Sequence, residues 1–373
     1  MKKQLLLILI IISLLVPTAA FAVEQHDISS HPETDIYLFL QVYQYIKEAY
    51  PLEIEDKTLV EAALRGMLES VDSYSEYYTA AEAEALYSDV YGSFVGIGVY
   101  IDKQGDYIHV IETIEGGNAK KEGILADDLI VSIDGTNAKD ISTTEASTLI
   151  KGEKGTVVRL GIKRAGKEEI IYFDIERAEV KVSPVTYEVI DNRIGYIKLT
   201  EFNQQATSEV MNALSFFDTK MIEKVILDIR NNPGGLLDQA IKLSRLFVPR
   251  GPIVHLREPG KELYTYNSIT LKPRYELVLL VNEKSASASE ILTGAVKDAH
   301  SGIVIGKKTF GKGIVQSLIP LMEGGIVKLT TAEYLTPNKT RIHGIGIQPD
   351  IEIENEPDND LQLQKAIEVL RGK

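Results

Sequence analysis

One stretch of this sequence, from Val281 to Gln316, holds residues whose types and spacing suit attack on a carbonyl: VNEKSASASEILTGAVKDAHSGIVIGKKTFGKGIVQ. The mostly apolar run Tyr275 to Val281 predicts a buried strand that stops at the polar turn Asn282–Glu283. Helical apolar spacing runs from Ile291 to Ala299, so Ser287 falls where a strand hands over to a helix N-terminus. Unpaired N–H groups and the positive end of the helix dipole there can hold a developing oxyanion. Downstream, Lys312, Ile314, Gln316 and Leu318 alternate as on a strand, which puts Lys312 and Gln316 on one face. The reading is a serine nucleophile with a lysine general base. Lysine, with a reference pKa of ~10.4, serves as a base near neutrality only when burial lowers that value, by up to ~3–5 units. A Gln316 amide can accept a lysine N–H bond and steady the base without adding a negative charge.

Each part has a plainer reading. Ser287-x-x-Glu290 also fits a capping box, so Ser287 could be a helix cap alone. Lys312, between Gly311 and Gly313, could be an ordinary loop lysine. Gly306-Lys-Lys-Thr-Phe-Gly311-Lys312 matches a phosphate-binding P-loop except at its last position, where Gly313 replaces the hydroxyl that would hold magnesium. The residues after Gly313 also read as a strand, not as the helix a phosphate needs. A Ser-His-Asp hydrolase fits poorly, because G-x-S-x-G is absent and His300 is the nearest histidine.

At 373 residues the chain can form two or three domains, and 44% hydrophobic with 25% charged residues is ordinary for a globular protein. Met1-Lys2-Lys3, the apolar run Leu5 to Val16 and Ala20-Phe21-Ala22 have the layout of a secretory signal peptide over residues 1–22. The expectation is export across the cytoplasmic membrane to a periplasm or an extracytoplasmic face. Membrane attachment would come only through an uncleaved signal segment. Without Lys2 and Lys3, 38 basic residues face 54 acidic ones, a net charge near −16, which argues against nucleic acid as a partner. No cysteine is present, which excludes disulfides and cysteine catalysis. The six histidines lack ligand spacing, so no metal site and no cofactor is expected.

These residues need elements to position them. An N-terminal helical region is expected over 23–91. Its first helix carries the apolar stripe Ile36, Leu38, Phe39, Val42, Tyr43, Tyr45 and Ile46, and its second runs from Asp56 to Leu68. The stripe can pack on the next domain or form a homodimer. Val71 to Tyr78 reads as a turn, and Ala80 to Tyr91 as a short helix. From 92 to 178 the character changes to short strands at Ile108–Ile111, Leu129–Ile133, Val157–Lys163 and Glu169–Ile175, with a helix from Thr143 to Ile150. Residues 179–373 alternate strand and helix and end in a helix, which predicts an α/β core with parallel pairings. Within it, Lys224 to Arg230 is a strand that ends at Asn231-Asn232-Pro233-Gly234-Gly235, before the helix Leu237 to Phe247. Its glycines would let backbone N–H groups point at a ligand.

Two resemblances rest on these motifs. Gly96-Ile97-Gly98-Val99, followed by the GxLxDDLIxxIDG run from Gly123 to Gly135, resembles a PDZ domain. In that family the G-Φ-G-Φ loop offers N–H groups to a peptide C-terminal carboxylate, and the peptide pairs as an added strand. The full set is similar to the C-terminal processing peptidases, or tail-specific proteases: PDZ unit, DIRNNPGG, VNEKSASASEI, KKTFGKGIVQ and LTTAEYLTPNKTRIHGIGIQPD. The likeness runs from about residue 35 to 371. It implies a crotonase-like (ClpP/crotonase-type) α/β protease core with an inserted, β-rich α+β PDZ domain. It further implies cleavage of polypeptides by a serine–lysine dyad without cofactor. Carried over by position, Ser287 is the nucleophile, Lys312 the base and Gln316 its orienting group. Gly235 and Ala288 supply the oxyanion-hole N–H groups, and a structural role is expected for Asp298. Partners implied are polypeptide substrates held by their C-termini, an adaptor protein and a second copy of the chain. Two positions depart from the family. Val71-Asp-Ser-Tyr-Ser replaces an LDPHS-like linker, and Lys151 stands where arginine is common at the end of the PDZ helix. The alternative is a PDZ adaptor on an inactive scaffold, which intact Ser287, Lys312 and Gln316 disfavour.

Overall fold

A computed structural model of the chain describes residues 32–372, so the expected signal peptide lies outside the described residues. Two compact units divide between residues 63 and 64. The first holds helix α1 (Pro32–Ala49) and the start of α2 (Asp56–Glu69). In α1 the stripe residues Ile36, Leu38, Phe39, Val42 and Tyr45 are exposed. Among the described residues no helix is long and apolar enough to cross a membrane.

The second unit opens with a departure from expectation. Residues 71–78 are only partly a turn: Asp72 Oδ1 accepts the Tyr74 and Ser75 amides, and strand β1 (Glu76–Tyr78) follows. This Asx turn aims the chain into a sheet where its neighbouring strand lies some 250 residues further on. Helix α3 (Ala80–Tyr91) comes next, then β2 (Ser93–Gly96). Strand pairing breaks after β2 at Ile97–Gly98, where Gly98 has φ +82° and a Cβ would lie 2.8 Å from Gly117 Cα.

Beyond this break lie β3 (Val99–Gln104), β4 (Tyr107–Thr113), α4 (Asn118–Glu122), β5 (Leu129–Ile133), β6 (Thr136–Asn137), α5 (Thr143–Ile150), β7 (Val157–Lys163) and β8 (Ile171–Glu176). They form an antiparallel sheet in the order β3-β4-β5-β7-β8, with β6 on β5, around the buried Ile97, Ile108, Val110, Ile130 and Leu160. Helix α5 starts at a Ser142–Glu145 capping box, and strand β9 (Ala178–Lys181) pairs with β2 to close the unit's neck.

The remaining elements are β10 (Val185–Ile190), β11 (Ile194–Leu199), α6 (Ala206–Thr219), β12 (Lys224–Asp228), α7 (Leu237–Phe247), β13 (Gly251–Arg257), β14 (Tyr264–Ser268), β15 (Glu276–Val281), α8 (Ala288–Asp298), β16 (Gly302–Gly306), β17 (Ile314–Pro320), β18 (Ile326–Leu335), β19 (Ile351–Glu352) and α9 (Leu361–Arg371). One sheet has the order β10-β11-β12-β15-β16-β19, parallel except for β10. Its central strands are continuous apolar runs because both faces are covered: residues of α6, α7 and α8 pack in one layer and α9 in the other. The second sheet is antiparallel, β1-β18-β13-β14 with β17 also on β18. The C-terminal ends of the adjacent strands β11, β12, β15 and β16 open on one side. Parallel sheets of this kind place their sites there.

Candidate active site

The loop after β12 and the loop after β15 meet at these strand ends. Asn232, fully buried, ties them together. Its side chain donates to the Leu199 carbonyl at 3.0 Å and accepts the Gly234 amide at 2.9 Å. Its own carbonyl accepts the Ala286 amide and the Ser289 hydroxyl, both at 3.0 Å. Only glycine fits at 234, where φ is +105° and a Cβ would lie 2.7 Å from the Ala286 carbonyl and 2.8 Å from Ser287 Cβ. The Gly234 carbonyl accepts the Phe202 amide and the Phe202 carbonyl accepts that of Leu236, which leaves the intervening Gly235 N–H out of the bridge.

Ser287 caps α8 with φ +53° and ψ −113°, a conformation that L-residues rarely adopt and that the surrounding bonds hold in place. The Ser287–Glu290 pair has the capping-box arrangement, yet the Glu290 amide bonds to the Ser287 carbonyl at 2.8 Å and the hydroxyl makes no side-chain cap bond. The helix-cap reading thus describes Glu290 better than Ser287. Ala288 opens the helix, so its N–H is among those with no partner within the helix.

Glu290 is fully buried and joins the serine to the lysine loop. One carboxylate oxygen accepts the Thr309 hydroxyl at 2.6 Å and the Gly311 amide at 2.7 Å. The other accepts the Lys312 amide at 2.7 Å and the Ser287 amide at 3.0 Å. Burial lifts its carboxyl above the ordinary glutamate value, against four donors that favour the carboxylate. The amides that a P-loop would turn toward phosphate are therefore occupied, and β17 follows in place of a helix. The buried Tyr334 hydroxyl adds a second tie, lying 2.9 Å from the Ser287 carbonyl and also on the Lys312 carbonyl.

Lys312 lies just before β17, not on it, and a bulge between Val315 and Gln316 interrupts the alternation expected there. The two side chains meet nonetheless, with Lys312 Nζ donating to Gln316 Oε1 at 2.9 Å. The Gln316 amide nitrogen in turn bonds the Tyr74 carbonyl, and the Tyr74 ring centre lies 5.0 Å from Lys312 Nζ. Burial, followed by the neighbouring charge of Lys328, lowers the Lys312 pKa, while Asp72 opposes both. Ser287, Ala288, Lys312, Gln316 and Gly235 line one cavity of about 240 Å³. Leu86, Val90, Leu237, Ile291 and Leu318 make its wall apolar. No hydrogen bond joins Lys312 Nζ to Ser287 Oγ among the described residues. Catalytic bonds often tighten only once substrate is bound.

The other singled-out residues lie elsewhere. Asp298 accepts the Asn338 amide at 2.8 Å, Lys151 Nζ lies 5.4 Å from the Phe94 ring centre, and His300 is exposed. In the PDZ-like unit the Ile97 and Gly98 carbonyls accept the Ala119 and Ile114 amides, so this loop is braced from behind. Strand β3, starting at Val99 beside Gly96-Ile97-Gly98, is a sheet edge with one side unpaired. Sequence reasoning missed Asn232, Tyr74 and Lys328. The Asn231-Asn232 pair before Pro-Gly-Gly was the one available signal.

Comparison with known proteins gives a consistent set of matches. The profile of peptidase family S41 matches residues 193–353, and that of the PDZ domain matches residues 89–163. The carboxy-terminal-processing protease of Bartonella bacilliformis is 35% identical over 348 residues, covering 90% of this chain and 80% of that protein. A Staphylococcus epidermidis protein named "Probable CtpA-like serine protease" is 35% identical over 359 residues, covering 93% of this chain and 72% of that one. Among solved structures, the photosystem II D1 C-terminal processing protease superposes with a TM-score of 0.50 at 30% identity, covering 89% of this chain and 90% of that one.

Proposed function

This chain belongs to peptidase family S41 as a PDZ-containing serine protease of the carboxy-terminal-processing kind, and we propose that it cleaves polypeptides with Ser287 as nucleophile and Lys312 as general base. One observation carries the reading. A strained, half-buried serine, a lysine whose pKa burial lowers, and the glycine-turn and helix-start amides line a single cavity. Neutral Lys312 takes the Ser287 proton as Oγ attacks the scissile carbonyl, and the Gly235 and Ala288 N–H groups receive the oxyanion. Collapse of the tetrahedral species breaks the C–N bond, and the Lys312 ammonium returns its proton to the leaving amine. A water molecule, deprotonated by the same lysine, then hydrolyses the acyl-enzyme. Gln316, anchored on the Tyr74 carbonyl, presents its amide oxygen to Lys312 and fixes the base without adding charge.

The core is read as crotonase-like, and the apolar wall suits an aliphatic side chain on the residue that gives up its carbonyl. The free edge of β3 beside Gly96-Ile97-Gly98-Val99 supports capture of a substrate C-terminus as an added strand. Export through residues 1–22 would place this work outside the cytoplasmic membrane. A pair of unfolded substrates, identical except for a free or amidated C-terminus, tests the reading. Faster cleavage of the free acid, abolished by Ser287→Ala, is expected. Equal rates for the two substrates would refute C-terminal capture, and undiminished cleavage by Ser287→Ala would refute the nucleophile.

A further inference from the structure

A second lysine lines the cavity that holds Lys312. Lys328 stands on β18 opposite Leu318 of β17, two pairs along from Gln316 opposite Thr330, so strand alternation sets it on the face that carries Gln316. On its other side β18 pairs with β1, in register Glu76 to Lys328. The ammonium is partly buried and held from that side: Nζ donates to the Tyr78 hydroxyl at 2.6 Å and Glu76 Oε2 at 3.0 Å, and it lies 4.9 Å from the Tyr78 ring centre. Two such ammonium groups in one small, apolar-walled cavity repel each other, and low dielectric strengthens that repulsion. The two differ in what they are given. Lys328 has a carboxylate, whereas Lys312 has only the neutral Gln316 amide.

We propose that Lys328 is an electrostatic positioning residue, an ammonium fixed in the cavity wall that keeps Lys312 from holding a proton of its own. This rests on the assignment of Lys312 as general base. The asymmetry of partners decides which lysine gives up its proton. For Lys328, burial favours the neutral form, but the bonds to Tyr78 and Glu76 outweigh it and raise its pKa. The groups facing Lys312 from each packed element are few. Lys328 faces it from β18 and Asp72 from the turn before β1, with the Tyr74 ring beside its Nζ. Glu290 takes its backbone amide, Tyr334 lies on its carbonyl, and His343 packs against neighbouring Gly313. Of these, Lys328 is the one firmly held positive charge. Strand β1 therefore contributes to the chemistry twice, through the Tyr74 carbonyl just before it and through the acceptors that keep Lys328 charged.

The test is a direct titration of Lys312 in the otherwise intact chain carrying Ser287→Ala, which prevents acyl transfer to the serine. Brief acetic anhydride labelling across a pH series, read by peptide mass spectrometry, reports the neutral fraction of Lys312. Lys328→Met and Lys328→Gln are expected to move its labelling midpoint to higher pH, and Lys328→Arg to leave it in place. Glutamine keeps a donor for Glu76, so this arm stands if the methionine variant fails to fold. With Ser287 restored, Lys328→Gln should lose activity at neutral pH and regain it as pH rises. An unmoved midpoint in both uncharged variants overturns the proposal. So does an equal shift in Lys328→Arg, which would mean packing, or an activity loss that pH does not recover, which would mean substrate binding. Failure of the general-base assignment would look different: Lys312→Ala would still cleave, whatever the labelling shows.

Discussion

Replacing Glu290 with glutamine keeps the size of the side chain and removes its capacity to accept from four donors at once. Thr309 and Gly311 bond one oxygen at 2.6 and 2.7 Å, and Lys312 and Ser287 the other at 2.7 and 3.0 Å. An amide offers a single oxygen, so two of the four donors face its NH2 group. The cheaper choice turns the nitrogen toward Thr309, whose hydroxyl can rotate to accept. The Gly311 N–H is then stranded, at about 1–3 kcal/mol. The two bonds that survive lose a charged acceptor, at roughly 1 kcal/mol each. An amide is less costly to bury than a carboxylate, which offsets part of this. The net loss is on the order of 3 kcal/mol. Urea unfolding followed by tyrosine fluorescence is expected to show a lower midpoint with unchanged slope. The stranded amide adjoins Lys312, and a misplacement of the base of about 1 Å lowers turnover by roughly 10²-fold. Wild-type stability together with wild-type turnover would refute the four-fold acceptor and its role in joining serine to lysine.

Gly234→Ala drives a methyl group into the Ala286 carbonyl at 2.7 Å and against Ser287 Cβ at 2.8 Å. Loss of the oxyanion geometry predicts a fall in kcat of about 10²–10³-fold, read by steady-state kinetics. Lys312→Met is expected to abolish cleavage and yet raise the melting temperature at neutral pH. Burial lowers the folded-state pKa of Lys312, so the unfolded chain binds a proton that the folded chain holds less tightly. Stability therefore rises with pH between that lowered value and the unfolded ~10.4, and the methionine variant's advantage fades across the same window in a pH series of melts. Arg230→Met strips the buried Asp228 of its guanidinium partner and releases Asp360 at the start of α9, at a cost of about 3–5 kcal/mol by chemical unfolding.

Local signals carried the parts of this protein whose contacts are close in sequence. The apolar run before Asn282 and the helical spacing after Ser289 placed Ser287 at a strand–helix junction, where it is found. Continuous apolar strands alternating with helices pointed to the parallel sheet. The contacts missed are those that only tertiary structure brings together. Gln316 meets Tyr74 across 242 residues, and Lys328 meets Glu76 across 252. Nothing in the composition of Val71 to Tyr78 marks it as a strand in a distant sheet, because three residues are too few to show a period. The bulge at Val315–Gln316 likewise leaves no local trace, and Lys312 reaches Gln316 from outside the strand. Glu290 was legible as a capping residue, but its bonds to Gly311 and Lys312 depend on a loop that begins beyond the next strand.

The general base is the central claim, and cleavage of one unfolded polypeptide by wild type, Ser287→Ala and Lys312→Ala, followed over a pH series by mass spectrometry, tests it most directly. Cleavage by wild type alone, with a rate that rises with pH as Lys312 loses its proton, is the predicted result. Full-rate cleavage by Lys312→Ala would contradict it.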